Sequence, residues 1–192
     1  PISDLRCQAN GAENAFLAFS IEADGSLTVT DKPTGAVYPG LHRFFDVDDA
    51  GDEYSYCPCP HSATVSSEGQ TARIELVTAG PALVQFRVSQ TLSIPASLTP
   101  DRQRRSEQRI ALPIESTLTL YRDQPGLYIE TRVDNRAQDH KLTVTFPTDL
   151  APAQAFVDAA FQVSARAIEL PASEGWVEDP TPLMHQRAFT DL

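Results

Sequence analysis

Five acids within eight positions, Asp46, Asp48, Asp49, Asp52 and Glu53, followed at once by Tyr54, Tyr56 and the stiffening Pro58, form the stretch best equipped for chemistry. Two carboxylates at a suitable separation are what glycosidic-bond hydrolysis needs, one as acid/base and one as nucleophile or base. Any acidic turn offers such pairs, however, and linear spacing does not fix a distance, so a solvated acidic turn is the first reading. As a helix-loop-helix calcium site the run fails. Counting Asp46 as the first ligand puts Ala50 fifth and Cys57 twelfth, and neither coordinates calcium. Another calcium geometry and a substrate-facing loop stay open.

The neighbouring Cys57-Pro58-Cys59-Pro60-His61 invites a metal reading and fails it. Zinc sites usually want about two to four residues between cysteines and a second ligand pair, and only Cys7 remains, far upstream. A proline-stiffened loop with free thiols is the better account. Of the four histidines, His42 lies beside Phe44 and Phe45 and reads as a core-edge residue, while His61 and His185 fall in proline-rich loops. His140, in Asp139-His140-Lys141 at a strand start, is expected to stabilise a turn by hydrogen bonding.

Other chemistries are absent as patterns. The chain has no Gly-x-Ser-x-Gly elbow, phosphate-cradling glycine loop, His-Glu-x-x-His helix or dinucleotide fingerprint. A formal charge of −11 repels nucleic acid and anionic membranes unless basic residues cluster. The one basic knot, Arg102, Arg104, Arg105 and Arg109, has no aromatic platforms beside it and reads as a solvated loop. No apolar run approaches the roughly 20 residues that span a bilayer. Three cysteines make no disulfide framework, which favours a reducing compartment and a cytoplasmic location. The start at Pro1, without an initiator methionine, and the abrupt stop at Leu192 suggest a piece of something longer, from which a signal could have been cut.

The elements that must position these residues are β throughout. With 192 residues and 41% hydrophobic content, the chain can bury roughly 70% of its unfolded surface, so one domain is the default. Phe16, Leu17, Phe19 and Ile21 lead into Asp24-Gly25, and Leu27-Thr28-Val29 lead out, a hairpin. Period-2 alternation follows in Val84, Phe86, Val88, Leu92 and Ile94. It recurs in Leu112, Ile114, Leu118 and Leu120, in Leu127, Ile129 and Val133, and in Leu142, Val144 and Phe146. Successive half-buried strands of this kind predict an antiparallel sheet packed on a partner, a β-sandwich spanning 1–168. No segment makes a convincing helix, and 151–163 reads as a connector into a strand running from Phe156 to Arg166. The excursion from Ser93 to Gln108 leaves the sheet, and 169–192, with three prolines, reads as an extended tail or a linker to a next domain.

Several short motifs then fall in a telling order: Asp24-Gly25-Ser26-Leu27, Asp31-Lys32-Pro33-Thr34-Gly35, Asp46-Val47, Gly51-Asp52-Glu53-Tyr54, Gly80-Pro81, Asp134-Asn135 with Asp139-His140, and Phe146-Pro147-Thr148. From about Phe16 to Arg166 this order resembles the carboxy-terminal β-region of bacterial-type alpha-mannosidases of glycoside hydrolase family 38. The resemblance implies a galactose-mutarotase-like supersandwich, the non-catalytic part of a zinc-dependent retaining enzyme. Its nucleophile and zinc ligands would lie in an amino-terminal catalytic domain, so no catalytic residue and no cofactor are expected in this chain. In such enzymes the β-region closes one wall of the active site. Tyr54 is then the residue expected to reach an alpha-mannoside or glycan substrate, with Asp52 in the same loop and Arg166 from a second direction. The alternative is a free-standing carbohydrate-binding or structural sandwich, and the fold alone does not choose between them.

Overall fold

The computed structural model describes residues 4–52, 54–176, 180 and 188–191, so Glu53 and His185 lie outside the described residues, as do 177–179, 181–187 and 192 of the expected tail. The chain divides into two compact units, Pro1–Thr148 and Asp149–Leu192. Among the described residues there is no helix and every strand pairing is antiparallel.

In the larger unit, β1 (Arg6–Gln8), β2 (Gly11–Glu13), β3 (Leu17–Ile21), β4 (Leu27–Asp31) and β5 (Val37–Leu41) pair in chain order as a five-stranded sheet. The predicted hairpin is β3–β4, and Gly25 in its turn takes φ +81°, a conformation side chains rarely adopt. β6 (Arg43–Asp48) and β7 (Val65–Ser66) form a small sheet with a later strand. β8 (Arg73–Ala79), β9 (Leu83–Pro95), β10 (Arg109–Tyr121) and β11 (Leu127–Val133) form a four-stranded one. β12 (His140–Thr145) does not continue that sheet after β11, as sequence order suggested, but pairs with β6, with His140 opposite Asp48. Val144 and Phe146 are correspondingly exposed, and only Leu142 of that apolar set packs on a core.

β9 and β10 run 13 residues each and serve two cores at once. Val84, Phe86 and Val88 with Leu118 and Leu120 meet Leu17, Phe19, Ile21 and Leu27 of the five-stranded sheet, face to face as in a sandwich. Further along the same faces, Leu92, Ile94, Leu112 and Ile114 close a second core with Phe44. Between the cores the alternation turns polar: Gln90, Ser116 and His42 are buried there. His42 sits at the corner between β5 and β6, with φ 63° in the left-handed region, and bonds the Ser116 hydroxyl at 3.2 Å.

In the smaller unit, the stretch read as one strand is a hairpin. β13 (Gln154–Ala159) and β14 (Gln162–Ala167) turn at Ala160-Phe161, where Phe161 has φ 67° and a fully exposed ring. β15 (Thr190–Asp191) adds to the other edge of β13.

Candidate functional site

β6 leaves the second core by changing chemistry without changing direction. Its inward positions are Phe44, then Asp46, then Asp48, so the alternation that buries an aromatic ring buries two carboxylates next. The acidic run is therefore not the solvated turn that composition suggested: Asp46 and Asp48 are both 0% exposed.

Buried charges need partners, and both have them. Arg105 Nη2 donates to Asp46 Oδ1, while Arg105 Nη1 donates to the carbonyls of Asp46 and Ala63 at 3.2 Å each. His140 Nδ1 faces Asp46 Oδ2, and His140 Nε2 faces Asn135 Oδ1 at 2.9 Å. That amide oxygen also accepts from the Ala137 N–H at 3.0 Å, which fixes its orientation. Both ring nitrogens of His140 thus face oxygen atoms that can accept. Of the basic knot, Arg102, Arg104 and Arg109 are exposed as expected of a solvated loop, but Arg105 is buried and forms the staple that holds the 96–108 excursion onto β6. A second tie links Arg102 Nη1 to Asp139 Oδ1 at 3.2 Å, between two residues that both take left-handed φ, 54° and 53°.

The other carboxylates organise the loop backbone. Asp48 accepts from the Cys59 N–H at 3.0 Å and from the Ser62 hydroxyl. Burial alone would push its pKa up, but the Ser62 and Cys59 hydrogen bonds outweigh it and the net shift is downward. Asp49 Oδ1 accepts from Gly51 N–H at 2.9 Å and Cys57 N–H at 3.1 Å. Asp52 Oδ1 accepts from Tyr54 and Ser55 N–H at 2.9 Å each, and those bonds hold its carboxyl below the ordinary value. Burial, and then Asp48 beside it, push the Cys59 thiol up to about 11, so it is unreactive at neutral pH.

What this scaffold presents is Tyr54, 88% exposed at the head of the loop. Asp52 lies beside it as a backbone cap rather than as a free acid. Tyr56 is instead engaged, its ring covered by the Lys141 ammonium 3.4 Å from the centroid. Arg166 stands on β14 of the smaller unit, opposite Ala155, and its Nε is buried with no hydrogen-bond partner among the described residues.

Zinc does not fit these residues. Among the described residues no three His, Cys, Asp or Glu side chains gather as a metal group, and the carboxylates of Asp46 and Asp48 are taken by Arg105, Ser62 and a backbone N–H. Sequence reasoning missed Arg105, Lys141 and Ser62 as parts of the loop. Their pairings, 14 positions apart for Ser62 and 59 for Arg105, carry no local pattern, although the shared parity of Phe44, Asp46 and Asp48 was visible.

Comparison with known proteins agrees with this geometry. Residues 12–189 match the family described as the glycosyl hydrolases family 38 C-terminal domain. The chain is 28% identical over 171 residues to a putative mannosylglycerate hydrolase of Halalkalibacterium halodurans, covering 82% of this chain and 19% of that protein. It superposes on the crystal structure of an alpha-mannosidase from Enterococcus faecalis with a TM-score of 0.90 at 29% identity, covering 97% of this chain and 22% of that one. A second structure from Enterococcus faecalis, of a protein in glycosyl hydrolase family 38, gives a TM-score of 0.82 at 27% identity, over 85% of this chain and 22% of that one. The chain thus spans about a fifth of the length of these relatives. Its match over nearly its whole length makes it a member of the glycosyl hydrolase family 38 C-terminal domains.

Proposed function

We propose that this chain is the non-catalytic β-region of a zinc-dependent, retaining alpha-mannosidase-type hydrolase, and that it forms part of the wall of the substrate site. Tyr54 carries the reading. An aromatic ring with a hydroxyl is fixed in an exposed position by a loop whose carboxylates are engaged in holding the backbone. Such a ring packs on the C–H face of a sugar while its hydroxyl bonds the polar edge. Relatives of several times this length, called an alpha-mannosidase and a putative mannosylglycerate hydrolase, support placing nucleophile and zinc in an amino-terminal catalytic domain. Asp52 acts on the sugar only indirectly, through the Tyr54 backbone, and Arg166 offers a guanidinium from β14.

The test is Tyr54→Phe in the full-length protein, assayed with an activated mannoside. An exposed hydroxyl contributes little to stability, so the melting temperature stays unchanged. One lost hydrogen bond of about 1 to 3 kcal/mol lowers kcat/KM by roughly 5- to 150-fold. Arg166→Lys, which keeps the charge and loses the planar fork, lowers it in the same direction. Full activity in Tyr54→Phe, with Tyr54→Ala lowering only the melting temperature, would reduce the tyrosine to a packing residue.

A further inference from the structure

The outward face of β10 and β11 holds a feature that the Tyr54 loop does not use. Tyr121 and Tyr128 meet edge to face with ring centroids 5.4 Å apart, and both remain partly open to solvent. They border a cavity of about 660 Å³, within the range of roughly 300 to 1,000 Å³ typical of small-ligand sites. Apart from Ile129, its remaining wall carries polar side chains: Gln85, Thr117, Thr119, Gln124 and Glu130. We propose that this groove is a second carbohydrate-binding site, taking a hexose unit of a neutral oligosaccharide; the proposal rests on the carbohydrate reading given above for the chain.

Three observations choose this occupant. The rings offer an apolar surface for the C–H face of a pyranose, and the amides and hydroxyls beside them offer donors and acceptors for its hydroxyls. The one charged group of the wall, Glu130, is paired with Arg132, whose Nε and Nη2 reach Glu130 Oε1 at 3.1 and 2.9 Å. With a chain charge of −11, an anionic ligand is disfavoured, and a wall with so many hydrogen-bonding side chains does not suit an apolar one. The groove is also preorganised. Asn14, 0% exposed, donates from Nδ2 to the carbonyls of Tyr121 and Gln124 at 2.8 Å each and so pins the turn that carries the first ring. Gln85 Nε2 donates to Thr119 Oγ1 at 3.0 Å, which fixes the amide plane. A site whose side chains are already placed binds with less ordering cost.

The experiment titrates the full-length protein with a thio-linked, non-hydrolysable mannotetraose by calorimetry, and measures kcat/KM on an activated monomannoside in parallel. The expected result is a second binding event. Tyr128→Ala weakens it at least tenfold and Thr117→Val, which removes one hydroxyl without altering shape, weakens it about fivefold. Both variants keep kcat/KM within twofold of the wild type. Should Tyr128→Ala fail to fold, Thr117→Val decides alone. A single binding event in the wild type overturns the proposal, as does a second event indifferent to Thr117→Val. So does an equal loss of kcat/KM in both variants, which would make the face part of the catalytic cleft or an internal contact. The Tyr54 reading fails on kcat/KM and this one on oligosaccharide binding, so the two failures are distinct.

Discussion

Asp46 is fully buried and faces two side chains, Arg105 and His140, whose own exposure is only 4% each. Asp52, six residues on, is exposed and caps two backbone N–H groups. The two acids look alike in sequence and should respond differently to the same substitution. Asp46→Asn removes the counter-charge from a buried guanidinium and an acceptor oxygen from beside the His140 ring, and breaking a buried pair typically costs about 3 to 5 kcal/mol. Asp52→Asn keeps an oxygen that can accept the same backbone bonds, so its stability should stay close to the wild type. Chemical denaturation of the two variants checks this, and equal midpoints would mean that the Arg105 staple contributes nothing. Asp48 adds a pH dependence of known sign. Its folded pKa is lowered from an ordinary 3.8, so the stability it contributes is present above that value and is lost as pH falls through the folded pKa. None of these distinctions was legible in the run of acids itself, because burial of a carboxylate depends on an arginine that arrives 59 positions later.

Elements were far easier to read than their partners. The period-2 alternation of β9 and β10 and the Asp24-Gly25 turn of β3–β4 were plain, since each depends on local sterics and on one buried face. The pairing of β12 with β6 rather than β11, and the turn at Ala160-Phe161 that splits β13 from β14, were not. The first joins segments about a hundred residues apart, and the second carries no glycine or asparagine to mark its left-handed residue. His42 shows the same limit: the sequence placed it near a core edge, while the structure makes it the corner between two sheets. Its environment gives a testable consequence. Burial lowers its pKa from an ordinary 6.5, with the Gly25 backbone opposing in part, so the unfolded chain takes up this proton first. Stability is then full above pH 6.5 and falls as pH drops below it, by up to about 1.4 kcal/mol per pH unit until the lowered folded pKa is reached. His42→Asn tolerates the left-handed φ and does not titrate, so it should flatten the stability profile just below pH 6.5. An unchanged slope in that variant would assign the dependence to another group.

Across the molecule, burial is distributed unevenly between the two units, and local stability should follow it. β9 and β10 are each hydrogen-bonded on both sides, and their inward residues fill two separate cores, so their amides open only when both cores are lost. β13 and β14 bury Ala155 and Val157 but leave Phe156, Phe161 and Val163 exposed, and β15 covers only two residues of the outer edge of β13. Fewer buried apolar groups per strand mean a lower free energy of local opening. In native-state hydrogen exchange of the 192-residue chain, amides of Val157 and Ser164 should therefore exchange at least tenfold faster than those of Phe86, Leu92, Leu112 and Leu118, a difference of about 1.4 kcal/mol or more in opening free energy. The exposed rings of the smaller unit should also take up a hydrophobic dye at low concentration, in proportion to intact hairpin rather than to unfolded chain. In the full-length protein the same amides should slow toward those of β9 and β10 if another part of the protein covers Phe156 and Phe161. Exchange of β13 as slow as that of β9 in the 192-residue chain would show that the smaller unit draws its stability from something other than its own buried side chains.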